Sequence, residues 1–325
     1  MVTGNMAERQ DERLAGITVE MAGPQDGADV LSFINKIQPQ ILWDDIHLRW
    51  QFFEAPAGHA RIYTIRAEQR IVSLYCACPK TFSLHGETRK AFMVQDVMTD
   101  PAYRGRGLLH RLAQRCVDDI KRNDEVGYTF PNKLSEGSFR RRAWAELMRV
   151  PLRTCKAISV PNPPEHLISP MGKAFPADTI EIWRGSGIEI GVQRSADYLN
   201  WRYRRPHQTY FRFSIGDGAG YLVLKLYDAD AGRLLHICDL LVTQQARRVV
   251  RGALHFCHGF ARANGAERIT AWLPEGHPYS GDFDALGLKC DKAHDRFVFA
   301  IQPHDAALLM TPSNWHLTQC DSDVY

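Results

Sequence analysis

A glycine-containing loop between a predicted strand and a predicted helix is the feature that most constrains the fold. Residues 91–97 form an apolar, strand-like run, and residues 108–121 have the apolar spacing of a helix. The loop between them reads Arg-Gly-Arg-Gly at residues 104–107. Glycine lets the backbone come close to a ligand, and the first N–H groups of a helix favour an anion. The sequence therefore predicts an α/β fold with a phosphate-binding loop.

This loop resembles the pyrophosphate loop of the GNAT superfamily of N-acetyltransferases, whose pattern is R/Q-x-x-G-x-G/A. Arg104, Gly107 and Leu109 fall on the three fixed positions, with Leu109 in place of the usual small residue. The resemblance implies that acetyl-CoA (coenzyme A with its acetyl group) is the donor. It also implies that the donor is contacted by the end of the strand and by the loop, at Val97, Met98, Thr99, Arg104, Gly105, Arg106, Gly107 and Leu108.

A second segment, after the next predicted strand, also resembles this family. GNAT enzymes have Asn-x-x-Ala/Ser there and then a helix that carries a tyrosine, and Asn132 and Ser135 match that spacing. The resemblance implies that these two residues also contact acetyl-CoA. Phe139 stands at the tyrosine position and has no proton to give to the departing CoA thiolate. The general acid is then another group or solvent, and Phe139 is interpreted as helix core.

Asp96 is the candidate general base. The resemblance places it on the strand beside the thioester, where a backbone N–H near residues 97–99 polarises the carbonyl. A carboxylate in an otherwise apolar strand is costly unless it has a role or a partner. A structural aspartate is the alternative, because the same residue recurs as Asp239 in a segment that lacks the glycine loop.

The chain repeats one plan of predicted elements. Trp50 recurs as Trp201, an offset of 201 − 50 = 151, and Asp96 recurs as Asp239, an offset of 239 − 96 = 143. Predicted strands and helices follow in the same order in both copies. We therefore predict two tandem GNAT-like domains, each a mixed, mostly antiparallel sheet flanked by helices, with chance recurrence as the alternative. The second copy has no glycine at residues 243–248, so one acetyl-CoA site, in the first domain, is expected.

Composition along the chain predicts the domain boundaries. Residues 1–15 are polar and charged and are expected to be a disordered tail. Residues 16–165 are predicted to form the GNAT domain with the acetyl-CoA loop. Residues 166–180 follow a proline-rich stretch and are predicted to be a linker. Residues 181–325 are predicted to form a degenerate GNAT-like domain that helps to form the acceptor site.

Aromatic and charged residues of the second domain are the candidate acceptor contacts. They are Trp201, Arg202, Arg205, Asp239, Asp321 and Asp323. An aromatic ring beside guanidinium groups suits a nucleotide diphosphate, and the carboxylates near the chain end suit a cationic amine. The alternatives are core packing for Trp201, since Trp50 repeats it, and a solvated acidic tail for Asp321 and Asp323.

Composition and charge exclude several classes of function. Of the 325 residues, 45% are hydrophobic and 24% are charged, which is typical of a globular protein. The net charge of +3 is too small for binding nucleic acid over a broad surface. The sequence contains no apolar run of about 18 residues and no secretory signal, so no membrane span is expected. The eight cysteines are scattered without zinc spacing, which predicts no metal site and a reducing cytoplasm.

The function implied by the resemblance is acetyl-CoA-dependent N-acetylation of a small-molecule amine. The chain looks most like two-domain enzymes that acetylate a dTDP- or UDP-linked amino-deoxy sugar in surface polysaccharide biosynthesis. One alternative is an aminoacyl transferase of peptidoglycan assembly, which would use aminoacyl-tRNA and need no glycine loop. Another is a non-catalytic acyl-CoA-binding sensor, which Phe139 favours. The oligomeric state is left open, with a monomer included.

Overall fold

The computed structural model describes residues 18–140, 144–161, 163–164, 166–301, 309 and 311–322. The predicted tail at 1–15 lies outside the described residues. Contacts divide the chain into two compact units. Of the described residues, those up to 79 together with 92–127 form unit 1, and those at 80–91 together with those from 128 onward form unit 2.

Unit 1 is built on strands in the order β1-β2-β3-β4-β5, with β1–β2 and β2–β3 antiparallel. Strands β3, β4 and β5 each have some residues in unit 1 and some in unit 2. The elements in chain order are β1 (Glu20–Ala22), α1 (Gly27–Ile37), α2 (Asp45–Phe52), β2 (Arg61–Ala67), β3 (Arg70–Leu84), β4 (Glu87–Thr99), α3 (Leu108–Arg122) and β5 (Val126–Thr129).

The core of unit 1 lies between its first helices and its strands. Phe33 and Ile34 of α1 and Phe52 of α2 pack against Ile62 of β2 and Leu74 of β3. Apolar residues three or four positions apart share one helix face, whereas those two apart share one strand face. Each fully buried side chain of this size contributes roughly 1.5–3 kcal/mol to folding.

Helix α3 is fixed to β2 by a buried carboxylate. Asp119 accepts a hydrogen bond from the Tyr63 hydroxyl at 3.1 Å. Its oxygens also accept from Arg115 at 3.0 Å and from Arg122 at 2.8 Å. A buried carboxylate is tolerated when donors satisfy its oxygens in this way. The helix that begins at the glycine loop therefore has a fixed position on the strands of unit 1.

Unit 2 is built on strands in the order β13-β6-β12-β11-β10-β9-β7. Strands β11 and β12 are parallel, and the other neighbouring pairs are antiparallel. The elements in chain order are α4 (Lys133–Arg140), β6 (Ala145–Lys156), β7 (Ile168–Pro170), α5 (Thr179–Gly185), β8 (Ile190–Val192), α6 (Ala196–Arg202), β9 (Phe211–Ile215), β10 (Gly220–Ala229), β11 (Gly232–Val242), α7 (Val250–Ala263), β12 (Arg268–Trp272), α8 (Ser280–Ala285) and β13 (Lys289–Ile301). Strand β8 pairs with the last residues of β3.

The order of elements occurs twice along the chain. The succession α2-β2-β3-β4-α3-β5-α4-β6 recurs as α6-β9-β10-β11-α7-β12-α8-β13. We call these successions the first and second repeat. A 3-10 helix follows the third strand in both, at Pro101–Tyr103 and at Gln244–Val249. The predicted α/β class with mixed, mostly antiparallel strand pairing is confirmed.

The two compact units divide the chain by its contacts, and the domain boundaries expected from the sequence stay a prediction. Strand β6, the last element of the first repeat, lies in unit 2, where it pairs with β12 and β13. The predicted linker at 166–180 contains β7, which pairs with β9, and the first residues of α5. Because β6 pairs with strands far along the chain, the boundary between the compact units does not lie at the proline-rich stretch.

Helices of membrane-spanning length and hydrophobicity are absent from the described part of the chain.

Candidate functional site

The end of β4 leads into the glycine loop through a capped turn in unit 1. Asp100 follows β4, and its Oδ1 accepts a hydrogen bond from the Ala102 N–H at 3.0 Å. This bond caps the 3-10 helix Pro101–Tyr103. Gly107 is then the N-cap of α3. The predicted succession of strand, glycine loop and helix is present in the structure.

A salt bridge ties this turn to α1. The Asp100 carboxylate lies 2.6 Å from the Lys36 ammonium, and the Asp100 N–H donates to the carbonyl of Val72 at 2.9 Å. Hydrogen bonds from Lys36 and from the Ala102 N–H lower the pKa of Asp100. Sequence reasoning missed this pair, because 64 residues separate its members and no local pattern connects them.

Both loop glycines adopt a backbone that other residues rarely take. The φ angles are +77° at Gly105 and +72° at Gly107. Both residues are exposed, and an ideal Cβ atom at either position would meet no heavy atom within 4 Å. The space beside the loop is therefore open on the side that a side chain would fill. Open space, together with helix N–H groups that have no intrahelical acceptor, fits a phosphate group.

The two loop arginines lie along the loop. Arg104 donates from Nε to the Thr99 carbonyl at 3.2 Å, and Arg106 donates from Nη2 to the Ala102 carbonyl at 3.2 Å. The Arg106 guanidinium also lies 5.2 Å from the Tyr103 ring centre. Across the described residues, neither arginine forms a salt bridge with a carboxylate. Their charges thus add to the positive potential of the loop.

The other residues of unit 1 that were predicted to contact acetyl-CoA have buried or half-buried side chains. Met98 is 6% exposed and Leu108 is 2% exposed, so both side chains belong to the core. The Thr99 hydroxyl lies 2.8 Å from that of Ser73. Val97 is half-buried on the same strand. Side-chain identity at Met98 and Leu108 is therefore set by packing.

Asp96 interrupts β4 with an unusual backbone conformation. Its φ is +49°, a region that aspartate and asparagine enter more readily than other non-glycine residues. The side chain is half-buried, and its Oδ2 accepts a hydrogen bond from Gln95 Nε2 at 3.1 Å. Backbone conformations of this kind concentrate at functional sites. Periodicity in the sequence gave no sign of this irregularity.

Asn132 and Ser135 lie in unit 2 and cap helix α4. The Ser135 N–H donates to Asn132 Oδ1 at 2.9 Å, and the Asn132 N–H donates to Ser135 Oγ at 3.1 Å. These reciprocal bonds satisfy backbone groups at the start of the helix. The Asn-x-x-Ser spacing therefore has a structural reason that does not depend on a ligand.

Phe139 is part of the core of unit 2. It is 5% exposed, and its ring centre lies 5.2 Å from that of Trp144 and 6.5 Å from that of Phe299. A phenyl ring fixed in an aromatic cluster contributes packing and has no proton to donate. This position therefore supplies no general acid.

Trp201 and Arg202, two of the predicted acceptor contacts, are both buried in unit 2. Trp201 is 5% exposed, and the Lys80 ammonium lies 4.4 Å from its ring centre. Arg202 is 3% exposed and donates to the carbonyls of Cys320 and Ser322. A nucleotide base needs an accessible ring face, and a phosphate needs an accessible guanidinium. Both side chains are used for packing inside unit 2.

Asp239 and Asp321, two further predicted acceptor contacts, are also buried in unit 2. Asp239 has no exposed surface and Asp321 is 2% exposed. The buried Arg194 guanidinium lies 2.9 Å from Asp239 and 2.7 Å from Asp321. Burial alone would raise the pKa of Asp239, but Arg194 and a hydrogen bond from His316 hold it well below its usual range. The two carboxylates are thus part of a buried ion-pair network with Arg194.

Two predicted acceptor contacts remain. Arg205 is half-buried in unit 2, and Asp323 lies outside the described residues.

The described side chains offer no group of three or more His, Cys, Asp or Glu placed to hold a metal ion. All eight cysteines are free thiols, and six of them are buried. Burial raises the pKa of Cys257 well above its ordinary value and that of Cys238 to about 12, which keeps these thiols protonated and unreactive.

Comparison with protein families finds one match. Residues 31–148 match the family model described as acetyltransferase (GNAT) domain. This segment contains Asp96, the glycine loop, Asn132, Ser135 and Phe139. A search of curated proteins by sequence gives no match.

Solved structures share the fold at low sequence identity. A conserved protein of unknown function from Enterococcus faecalis is 12% identical with a TM-score of 0.68, and the match covers 92% of this chain and 75% of that chain. A GCN5-related N-acetyltransferase from Anabaena variabilis is 14% identical with a TM-score of 0.66, covering 87% and 72%. The N-myristoyltransferase of Saccharomyces cerevisiae with bound myristoyl-CoA is 10% identical with a TM-score of 0.56, covering 88% and 82%. At this level of identity the similarity establishes the fold.

Proposed function

We propose that this chain, an acyltransferase that carries a GNAT acetyltransferase domain and uses acetyl-CoA, acetylates the amino group of a nucleotide-linked amino-deoxy sugar. The observation that carries the proposal is the exposed glycine loop at the start of α3. Its two positive φ angles and the open space beside them suit a pyrophosphate. Arg104 and Arg106 add positive charge at the same place.

In the proposed reaction the acceptor nitrogen bonds to the acyl carbon, and the C–S bond of the thioester breaks. The nitrogen loses one proton and the CoA sulfur gains one. We assign the first proton to Asp96, whose half-buried carboxylate lies on β4 upstream of the loop. We assign the second to solvent or to another group, since Phe139 has no proton to give. A CoA thiolate is a stable leaving group, so weak acid catalysis is sufficient.

The sugar-nucleotide acceptor is supported by the sequence at the end of β5. Phe130-Pro131-Asn132 with Ser135 resembles GNAT enzymes that act on sugars and related amines. The pathway we propose is surface polysaccharide synthesis in the cytoplasm, where free thiols stay reduced. Trp201, Arg202, Asp239 and Asp321 are buried, so a more accessible side chain is the better-supported acceptor contact in unit 2. Arg205 is the remaining described candidate.

We further propose that the two repeats are tandem GNAT-like domains. The same eight elements recur in the same order, and a 3-10 helix follows the third strand of each repeat. The donor site belongs to the first repeat, because the corresponding turn of the second repeat, Gln244–Val249, contains no glycine. Side chains at each position of that turn would crowd a phosphate.

Release of CoA thiol from acetyl-CoA in the presence of an amine panel tests the proposed function. The panel contains dTDP- and UDP-linked amino sugars, free amino sugars and aminoglycosides. We expect a higher kcat/KM with a nucleotide-linked sugar than with its free sugar. A higher value with the free sugar removes the nucleotide from the proposal. Tight acetyl-CoA binding without turnover on any amine supports the sensor alternative, which the buried Phe139 favours.

A further inference from the structure

Strands β11 and β12 separate part of the way along unit 2. They pair in parallel from Leu234 opposite Arg268 to Ile237 opposite Ala271. Beyond that point β11 has a bulge at Cys238 in its pairing with β10. No further pairing of β11 with β12 occurs among the described residues. Polar groups on the separating ends therefore need other partners.

The C-terminal segment Trp315–Ser322 contacts both of these strands. His316 Nε2 lies 3.0 Å from Asp239 Oδ1, which is on β11 beyond the last pair. Gln319 Nε2 donates to Thr270 Oγ1 on β12 at 3.2 Å, and Thr270 lies opposite His236 at the end of the paired stretch. One segment thus contacts a side chain of each strand where their pairing ends. Every residue of the segment is at most 5% exposed.

A buried arginine holds the segment in place. Arg194, which has no exposed surface, donates from Nε to Asp239 at 2.9 Å. It also donates from Nη1 and Nη2 to both carboxylate oxygens of Asp321, at 2.9 and 2.7 Å. The Thr318 N–H adds a bond to Asp321 at 2.9 Å. Bidentate pairs of this kind fix geometry, and withdrawal of the segment would leave Arg194 and Asp239 with fewer partners in the interior.

The corresponding strands of the first repeat are β4 and β5, and Asp96 corresponds to Asp239. Asp96 is half-buried, whereas Asp239 is completely covered by Arg194, Tyr221 and the C-terminal segment. The first repeat has an open glycine loop after its third strand, and the second does not. The two repeats therefore differ in the loop after the third strand and in how deeply the aspartate of that strand is buried.

We propose that Trp315–Ser322 occupies, in the second repeat, the place that the acyl-pantetheine arm of acetyl-CoA takes in the first. The second repeat is then closed to acyl-CoA by the chain itself, and each chain binds one donor molecule. This inference rests on the proposed function and adds one premise to it. The resemblance to GNAT enzymes implies that the acyl-pantetheine arm lies between the third and fourth strands of the first repeat.

Calorimetric titration of the full chain with acetyl-CoA tests the inference. We expect one molecule bound per chain, and none in Gly107→Trp. Gly265→Trp is the matched control, since Gly265 is an exposed residue with φ +70° and open space around an ideal Cβ. Two molecules per chain overturn the inference and leave the transferase proposal standing. One molecule retained by Gly107→Trp overturns the inference and also removes the glycine loop as the donor site of the proposed function. No binding to the unmodified chain overturns both.

Hydrogen exchange on the unmodified chain provides a test that needs no variant. With saturating acetyl-CoA we expect amides of residues 103–109 to gain protection at least tenfold. Amides of residues 315–322, which their burial predicts to exchange slowly without ligand, should exchange at the same rate when ligand is added. Loss of protection in 315–322 on adding acetyl-CoA means that the donor displaces the segment, which contradicts the proposal.

Discussion

Gly107 has the conformation that the start of α3 requires, and its open side is where a ligand phosphate would lie. A tryptophan there must adopt φ +72° and places its ring in that space. We predict that Gly107→Trp raises the Kd for acetyl-CoA at least ~100-fold, about 2.8 kcal/mol. Fluorescence or calorimetric titration measures this change.

The matched Gly265→Trp variant separates ligand blocking from backbone strain. Both substitutions introduce a left-handed residue at an exposed position, which costs roughly 1–3 kcal/mol of stability in each. Urea unfolding should therefore show similar losses. An equal rise in Kd for both variants would show that general destabilisation, and not the loop, explains the effect.

Asp96 is the second residue whose role is open to direct measurement. Asparagine tolerates the φ of +49° about as well as aspartate does, so Asp96→Asn preserves the backbone conformation and removes only the charge. Loss of a general base typically lowers kcat ~100-fold or more. We predict this loss with an unchanged Kd for acetyl-CoA. A variant that keeps the pH–rate profile of the parent would show that Asp96 is not the base.

At the scale of single elements, the glycine loop depends on helix α1. Lys36 contacts Asp100 at 2.6 Å, so the loop is tied to a helix that precedes it by more than 60 residues. Lys36 is 63% exposed, and pairs with an exposed member contribute at most about 1 kcal/mol to stability. The effect of the pair on loop order is therefore expected to exceed its effect on global stability.

We predict that Lys36→Met speeds amide exchange in residues 100–106 and weakens acetyl-CoA binding about 3- to 10-fold, a loss of about 1 kcal/mol. The pKa of Asp100 is lower in the folded chain than in the unfolded chain. The stabilisation that Asp100 provides is therefore complete above its ordinary pKa, and it is lost as the pH falls through the folded-state pKa. Neutral pH is thus the condition for the measurement. Lys121→Met, at an exposed position of α3, is the control. An equal effect in this variant would show that the Lys36–Asp100 salt bridge does not order the loop.

The elements could be predicted from the sequence where their signals are local. The strand, the glycine loop and α3 follow from periodicity and turn residues within about 30 positions. The positive φ of Asp96 and the Lys36–Asp100 pair could not be predicted, because each depends on distant strands and helices. Burial of Asp239 and Asp321 was missed for the same reason: their partner Arg194 gives no pattern in its own segment.

Across the whole molecule, buried histidines make stability depend on pH. Burial, and then the charge of Lys225, lower the pKa of His236 to about 4. The ordinary value is 6.5, so the unfolded chain takes up a proton that the folded chain refuses between these two pH values. The contribution of His236 to the free energy of unfolding is therefore complete above pH 6.5, decreases as the pH falls, and reaches its lowest value near pH 4. The full difference is about 3 kcal/mol.

His236→Gln should reduce this dependence. Glutamine can replace the hydrogen bond to the Thr270 hydroxyl, which lies 2.6 Å from His236 Nδ1, without titrating. We predict a smaller loss of unfolding free energy between pH 7 and pH 5 in urea titrations. Part of the dependence of unfolding free energy on pH should remain in the variant, because burial also lowers the pKa of His277. An unchanged slope in the variant would assign the pH dependence to other groups.

Strand β6 ends at residue 156, yet its partners β12 and β13 begin at residues 268 and 289. A ribosome that makes the chain from its N-terminus must therefore release more than 100 residues before β6 finds a neighbour. Until then the backbone N–H and C=O groups of β6 remain unpaired and can form non-native strand pairs. Completion of the first repeat thus waits for translation of the second, which gives selection a reason to keep both repeats in one polypeptide.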